Sequence, residues 1–286
     1  NPDCVVPALQ LDDGTCLSEV LAICHRDGGW LELTEKQQEA GALSITSVTE
    51  KGGPKGIPSA LRIRRACKAF RPDIIVIHNY LYFNLLATRG IAPQIGVTHM
   101  YKCRHFDKLA GVIALTDELR QMCRDAGVTA PIHIVPNMIG GPFVEPIKGW
   151  RNANRPVIGG LGRLDAHKGY EHLIESCGML RSRGRDFDCL IGGTGFDESA
   201  LQAQVKDLGL EDIVHFVGFV DNKQRFFESI DLFIAPSVQE TFGITLLEAM
   251  KYGRPVIATA TGGHTAIVTE NQNGLLVPPR DPAALA

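Results

Sequence analysis

Asp231-Leu232-Phe233-Ile234-Ala235 runs into Pro236-Ser237, and Glu240-Thr241-Phe242-Gly243-Ile244-Thr245-Leu246-Leu247-Glu248-Ala249-Met250 follows. A short apolar run, a turn at Gly243 and a patterned helix in succession form the building unit of a parallel α/β sheet. Glycine at 243 lets the chain turn tightly into a helix whose first N–H groups, around Ile244 to Leu246, can hold a phosphate. Glu240 stands in the loop before that helix and Glu248 lies more than a turn inside it, so the two carboxylates can address different parts of one extended ligand. Carboxylates repel phosphates and accept well from vicinal hydroxyls. Taken as an isolated pair, however, two Glu residues around a helix start read as capping or dipole partners.

The surrounding sequence repeats the unit. Apolar runs at 156–161, 187–191, 213–217, 231–235 and 255–259 alternate with helical patterns, one carrying Leu173, Ile174, Cys177 and Leu180, another Leu201, Val205 and Leu208. Near-continuous β-branched runs separated by helices predict a parallel sheet covered on both faces, a Rossmann-like domain. The first half repeats the theme more loosely, with strands expected at 20–24, 43–48, 73–77, 94–98, 111–115 and 132–135 and helices at 58–70, 81–89 and 116–126. Pro136, Gly140, Gly141, Pro142, Pro146 and Gly149 then crowd one stretch, which places a domain boundary within 140–155. The expected division is a domain over 1–145 and another over 150–286, two doubly wound α/β domains facing across a cleft where ligands collect at the carboxyl ends of strands.

With 286 residues the chain has room for about two domains. Its 29 basic and 32 acidic residues leave a formal charge of −3, so nothing in the bulk charge asks for a nucleic acid as partner. The eight cysteines show no C-x-x-C pair, and residues such as Cys24, Cys177 and Cys189 sit in apolar runs as small core hydrophobes. That usage predicts reduced thiols and a cytoplasmic setting. No apolar run approaches the roughly 18 residues needed to cross a bilayer.

Further residues carry chemistry. Gly162-Arg163-Leu164 follows the first strand of the second half, and Lys168-Gly169 opens the next helix, so two cations are expected to converge on one anion such as a diphosphate. Solvated surface charge is the ordinary alternative for each cation. Gly192-Gly193-Thr194-Gly195, Val217-Gly218-Phe219, Gly253-Arg254-Pro255-Val256-Ile257-Ala258, Gly262-Gly263 and Asn273-Gly274-Leu275-Leu276-Val277-Pro278 complete an ordered series with the Glu-seven-Glu stretch. In this order and spacing the chain resembles the nucleotide-sugar-binding half of the retaining glycosyltransferases of family 4, the group 1 glycosyl transferases with the GT-B fold. The resemblance is specific over 155–286 and looser over 70–140.

That resemblance implies a metal-independent retaining hexosyltransferase with a nucleoside-diphosphate sugar as co-substrate and no cofactor. It gives Arg163 and Lys168 the donor diphosphate, Glu248 the ribose hydroxyls and Glu240 the donor sugar near its 3- and 4-hydroxyls. Phe242, Gly243, Ile244 and Thr245 would offer main-chain N–H groups, Val217, Gly218, Phe219 and Val220 would border the base, and Gly162 and Gly193 belong to the donor-binding loops. His78 and His99 end two first-half strands; the resemblance makes His99 a contact near C6 of the donor sugar and leaves His78 nearer a structural role. The acceptor expected by analogy is a glycan or lipid-linked hydroxyl in cell-surface polysaccharide assembly.

Some features depart from the family pattern. A strand and Gly-rich loop are expected ahead of Val20–Cys24, and helices beyond Ala286, so the sequence reads as a shortened chain. Asn137-Met138-Ile139-Gly140 stands where Asn-Gly-Val-Asp is usual, and Ala266 where a Glu usually follows the Gly-Gly. A dehydrogenase reading fails because Gly160-Leu161-Gly162-Arg163-Leu164-Asp165 has Asp in place of the third fingerprint glycine. Asp186-Phe187-Asp188 precedes its strand, which argues against a metal site there. A nucleotide-sugar epimerase and a catalytically silent nucleotide-sugar-binding subunit remain as alternatives. Arg62, Arg64, Arg65, Lys68 and Arg71 form a basic run, read either as a solvated helix face or as a peripheral contact with anionic membrane.

Overall fold

The computed structural model describes residues 19–25, 44–50, 57–78, 82–140 and 155–286. The expected boundary stretch lies almost entirely outside them, as do residues 1–18 and the side chain of Arg62. The chain divides into two compact units, Asn1–Gly140 and Gly141–Ala286.

In the first unit β1 (Glu19–His25) and β2 (Ser44–Glu50) pair in parallel. A second parallel sheet runs β3-β4-β5-β6, from β3 (Ile75–Ile77) through β4 (Gln94–Thr98) and β5 (Gly111–Ala114) to β6 (Ile132–Ile134). The helices are α1 (Ile57–Phe70), α2 (Tyr82–Thr88) and α3 (Asp117–Asp125). Thr116 starts α3 by accepting the Leu119 N–H, and Asp117 and Glu118 place negative charge on its positive end. Ile77, Phe106, Val112 and Cys123 form the core under this sheet.

The second unit holds six parallel strands, β7 (Val157–Leu161), β8 (Asp188–Gly192), β9 (Val214–Gly218), β10 (Leu232–Ala235), β11 (Val256–Thr259) and β12 (Leu275–Val277). Their order is β12-β11-β10-β7-β8-β9, which reverses direction between β7 and β10. The sequence pattern explains the double winding. Along β10, Phe233 and Ala235 enter one core with Phe227, Leu246 and Ala249, while Ile234 between them enters the other with Leu173, Ile174 and Leu201. Helices α4 (Tyr170–Ser182) and α5 (Glu198–Asp207) therefore cover one face, and α6 (Lys223–Ser229) and α7 (Ile244–Lys251) the other. The short helices α8 (Gly262–Thr265) and α9 (Pro282–Leu285) complete the described chain.

Two sequence expectations need correction. Leu208 is exposed rather than on the buried face of α5, because the helix ends at Asp207 and the left-handed Gly209 turns Leu210 into the core instead. The 273–278 motif contributes a sixth strand, β12, which periodicity had not indicated. Cys67, Cys103, Cys123, Cys177 and Cys189 are free thiols, all but Cys103 buried, while the side chain of Cys24 lies outside the described part of the chain. No helix among the described residues is long and apolar enough to cross a membrane.

Candidate functional site

Ligands of open α/β sheets gather outside the carboxyl ends of the strands where the strand order reverses. In the second unit that point lies beyond Leu161 of β7 and Ala235 of β10, where Gly162, Arg163, Lys168 and Glu240 are found.

The loops after β7, β8 and β9 are laced together by main-chain bonds: Gly162 N–H to Gly192 O (3.0 Å), Leu164 N–H to Thr194 O (3.0 Å) and Gly193 N–H to Gly218 O (2.7 Å). Gly193 makes this possible. With φ of 126° and with Gly162 O only 1.8 Å from where a Cβ would stand, no other residue fits there. Gly162, Gly193 and Gly218 are thus brought together as one floor.

The loops after β7 and β10 are joined as well. Val238 and Gln239 both donate to His167 O, at 2.8 and 3.1 Å, and Lys168 Nζ reaches Glu240 Oε2 at 2.6 Å. Both side chains are largely enclosed. Burial pushes the Glu240 carboxyl up, but the Lys168 ammonium outweighs it, aided by His264 and the Phe242 N–H, and holds Glu240 below the usual carboxylate range. Arg163 turns elsewhere: it pairs with Asp165 at 3.0 Å, and its side chain is 78% exposed. The two cations expected at one spot are therefore held by different carboxylates.

Gly243, with φ of 104°, starts α7. Its carbonyl accepts from Leu246 N–H at 3.1 Å and Leu247 N–H at 3.2 Å, so the Leu246 amide is engaged within the helix rather than offered to a ligand. The first-turn amides of Ile244 and Thr245 have no acceptor within a helix by construction. Phe242 leans its N–H toward Glu240 Oε1 at 3.4 Å, and its ring is buried.

Glu248 is buried on α7 and takes Lys223 Nζ, at the first turn of α6, at 2.7 Å. Lys223 escaped the sequence reading; its only signal was a cation just after the Val217–Val220 loop. In that loop Val217 and Phe219 are exposed, whereas Val220 packs into the core with Phe226 and Phe227, so its side chain is turned away from any ligand at the loop. His264 was also missed. Its imidazole is buried, donates from Nδ1 to Thr259 O at 3.0 Å and lies against Gly243.

Asp186 and Asp188 lie at the opposite, amino-terminal edge of the sheet, where Arg155 holds both at 2.7 Å. In the first unit His78 and His99 end β3 and β4, neighbours in the sheet, and the His78 Nδ1 and His99 Nε2 atoms are 2.8 Å apart with the rings stacked. Burial, with the nearby His78, lowers His99 to about 4. Burial also lowers His78. The basic run is split in use: Arg64 donates to Ala87 O and Arg89 O, while Arg65 and Lys68 are exposed.

The family described as glycosyl transferases group 1 matches residues 146–286, the span that contains the constellation of the second unit. The chain belongs to the group 1 glycosyl transferases. Among curated relatives of this group 1 chain, alpha-D-kanosaminyltransferase of Streptomyces kanamyceticus is 32% identical over 224 residues, 73% of this chain and 58% of the relative. Mannosylfructose-phosphate synthase of Agrobacterium fabrum is 35% identical over 135 residues, 44% of this chain and 30% of the relative. The group 1 chain thus spans less than two thirds of either relative. Among solved structures, Anabaena Alr3699/HepE in complex with UDP and glucose superposes with a TM-score of 0.74 at 22% identity, over 93% of this chain and 80% of that one. Sucrose-phosphate synthase of Thermosynechococcus elongatus gives 0.71 at 19%, over 94% and 88%. At these identities the likeness shows the fold alone, that of GT-B proteins with two parallel-sheet α/β units.

Proposed function

We propose that the chain transfers a hexose-like sugar from a nucleoside diphosphate to an acceptor hydroxyl, with retention at the anomeric carbon and without a metal ion. The observation that carries this reading is the start of α7. There, the first-turn amides of Ile244 and Thr245 stand in the chain between two lysine-held carboxylates, Lys168–Glu240 at 2.6 Å and Lys223–Glu248 at 2.7 Å.

The donor diphosphate takes the Lys168 ammonium and the amides at Gly243, Ile244 and Thr245. Glu240, released from Lys168, accepts from the sugar hydroxyls, and Glu248 accepts from the ribose diol. The exposed Arg163 swings onto the diphosphate as negative charge grows on it. The bond from the anomeric carbon to the phosphate oxygen breaks and the bond to the acceptor oxygen forms on the same face. The acceptor proton passes to the departing phosphate oxygen. Fixed positive charge aimed at the leaving group supplies the stabilisation that a cation would give. His99 keeps the donor-sugar contact that the family likeness gives it, and Phe219, exposed beside the floor of glycines, borders the base. The acceptor class is a glycan or lipid-linked hydroxyl, in line with relatives such as the lipopolysaccharide core glycosyltransferase LpsE of Rhizobium meliloti.

Calorimetric binding of UDP-, GDP- and ADP-sugars to the wild-type chain and to Glu248→Ala tests the site. The expected result is micromolar binding of one nucleotide class that the variant loses. Turnover of that donor only with an acceptor, unchanged by EDTA, completes the assignment. Turnover without any acceptor would point to an epimerase, and binding without turnover to a silent subunit.

A further inference from the structure

His264 is buried to 1% exposure beneath the turn at Gly243. A carbonyl can only accept, so the 3.0 Å contact to Thr259 O places the ring's hydrogen on Nδ1 and leaves the lone pair of the neutral ring on Nε2. Thr259 is itself fixed, its hydroxyl donating to Ser237 O at 2.5 Å. The opposite edge of the ring faces the turn: a Cβ on Gly243 would stand 3.0 Å from His264 Cδ2 and 3.5 Å from Nε2. The preceding Gly263 donates to Glu240 O at 2.9 Å, tying α8 to the same loop. The charged groups acting on the ring among the described residues are Glu240 and Lys168.

We propose that His264 takes up a proton from solvent when a nucleoside-diphosphate sugar binds at the Gly243 turn, and returns it when the nucleotide leaves. This rests on the reading above, that the diphosphate lodges at Lys168 and the α7 amides. Protonated, the imidazole becomes a fixed cation under the departing diphosphate; it supports the turn and does not itself touch the sugar.

The electrostatics support the direction. In the free protein burial lowers the imidazole, against the opposing pull of Glu240 and the Thr259 carbonyl, and the Lys168 charge adds to the lowering. A bound diphosphate draws Lys168 to itself and brings two negative charges near the turn, which shifts this balance toward the charged ring.

The test is calorimetry in buffers of differing ionisation heat. UDP-glucose, GDP-mannose and ADP-glucose are compared, and the tightest binder is carried forward; such diesters have no phosphate group titrating near pH 6. The wild type should take up about half a proton per donor at pH 6 and bind about two- to fivefold more weakly at pH 8. His264→Asn, whose amide can still donate to Thr259 O, should bind donor with no proton uptake. Binding with no dependence on buffer would overturn the proposal and leave the site reading intact, as would uptake that persists in His264→Asn, which would place the proton on another group such as His78 or His99. No binding of any donor would remove the site reading itself, and the proposal with it. Should His264→Asn not fold, nitrogen NMR of the wild type decides: one histidine must pass from a neutral Nδ1–H form to the doubly protonated ring on adding donor at pH 6, and its failure to do so refutes the proposal.

Discussion

Replacing Lys168 by methionine removes the ammonium while keeping the length of the side chain, and so isolates the charge in the pair with Glu240. Removing one partner of a fully buried ion pair costs about 3–5 kcal/mol, most of it from the charge left behind. Here the side chains keep 24% and 12% of their exposure, so water can reach part of the pair. That reduces the expected loss to about 2–3 kcal/mol at pH 7. Glu240→Gln should cost less, about 1 kcal/mol, because Lys168 is the more exposed partner and can turn to solvent. In the double variant neither charge remains, and stability should recover to within about 1 kcal/mol of wild type. The pH dependence has a definite sign. Glu240 is held below its ordinary range, so the pair's contribution is complete above the unfolded carboxylate value and fades as pH falls through the lower, folded one. The gap between wild type and Lys168→Met should therefore close in acid. Urea unfolding followed by far-UV circular dichroism, without ligand, measures all four proteins. A loss below about 0.5 kcal/mol for Lys168→Met, or a double variant no better than that single one, would refute the reasoning.

Gly193→Ala should cost more than about 3 kcal/mol, since its Cβ would stand 1.8 Å from Gly162 O; Gly184→Ala, with a positive φ but nothing within 4 Å, should cost about 1 kcal/mol, and thermal unfolding compares them. Lys223→Met should weaken nucleoside-diphosphate binding about threefold to tenfold while shrinking the preference for ribo- over 2′-deoxynucleotide, because Glu248 loses the lysine that orients it; equal preference in variant and wild type would separate Lys223 from the ribose. His99, lowered to about 4, binds fewer protons folded than unfolded between pH 6.5 and 4, so stability should fall as pH drops through that window; melting temperatures of His99→Asn should show a flatter fall.

Much of the fold can be read from the chain because burial on both faces writes itself as continuous apolar runs. The runs at 156–161, 187–191, 213–217, 231–235 and 255–259 each overlap a strand of the second sheet. β12 is hidden because three residues, the first of them a half-exposed leucine, carry too little periodicity. The candidate site is legible where local chain geometry creates it, at Gly162, Gly193 and Gly243. It is illegible where two distant segments meet. Lys223 finds Glu248 from 25 residues away, and His264 reaches Gly243 from a separate short helix, so neither leaves a local pattern. Arg163 reads in sequence as half of a converging pair because spacing alone does not show that Asp165, two residues on, holds it instead.

On the proposed reading the lysine that rests on Glu240 also acts as a filter. A ligand that offers only anionic oxygens can capture Lys168 only by stripping Glu240 of its counter-charge within a largely enclosed loop, so inorganic phosphate gains one ion pair and loses another. A ligand that brings hydroxyls along with its phosphates gives the released Glu240 a new partner in the same step. On that reading the Lys168–Glu240 pair works as an exchanger, closed to simple anions and open to molecules that carry both halves of the trade.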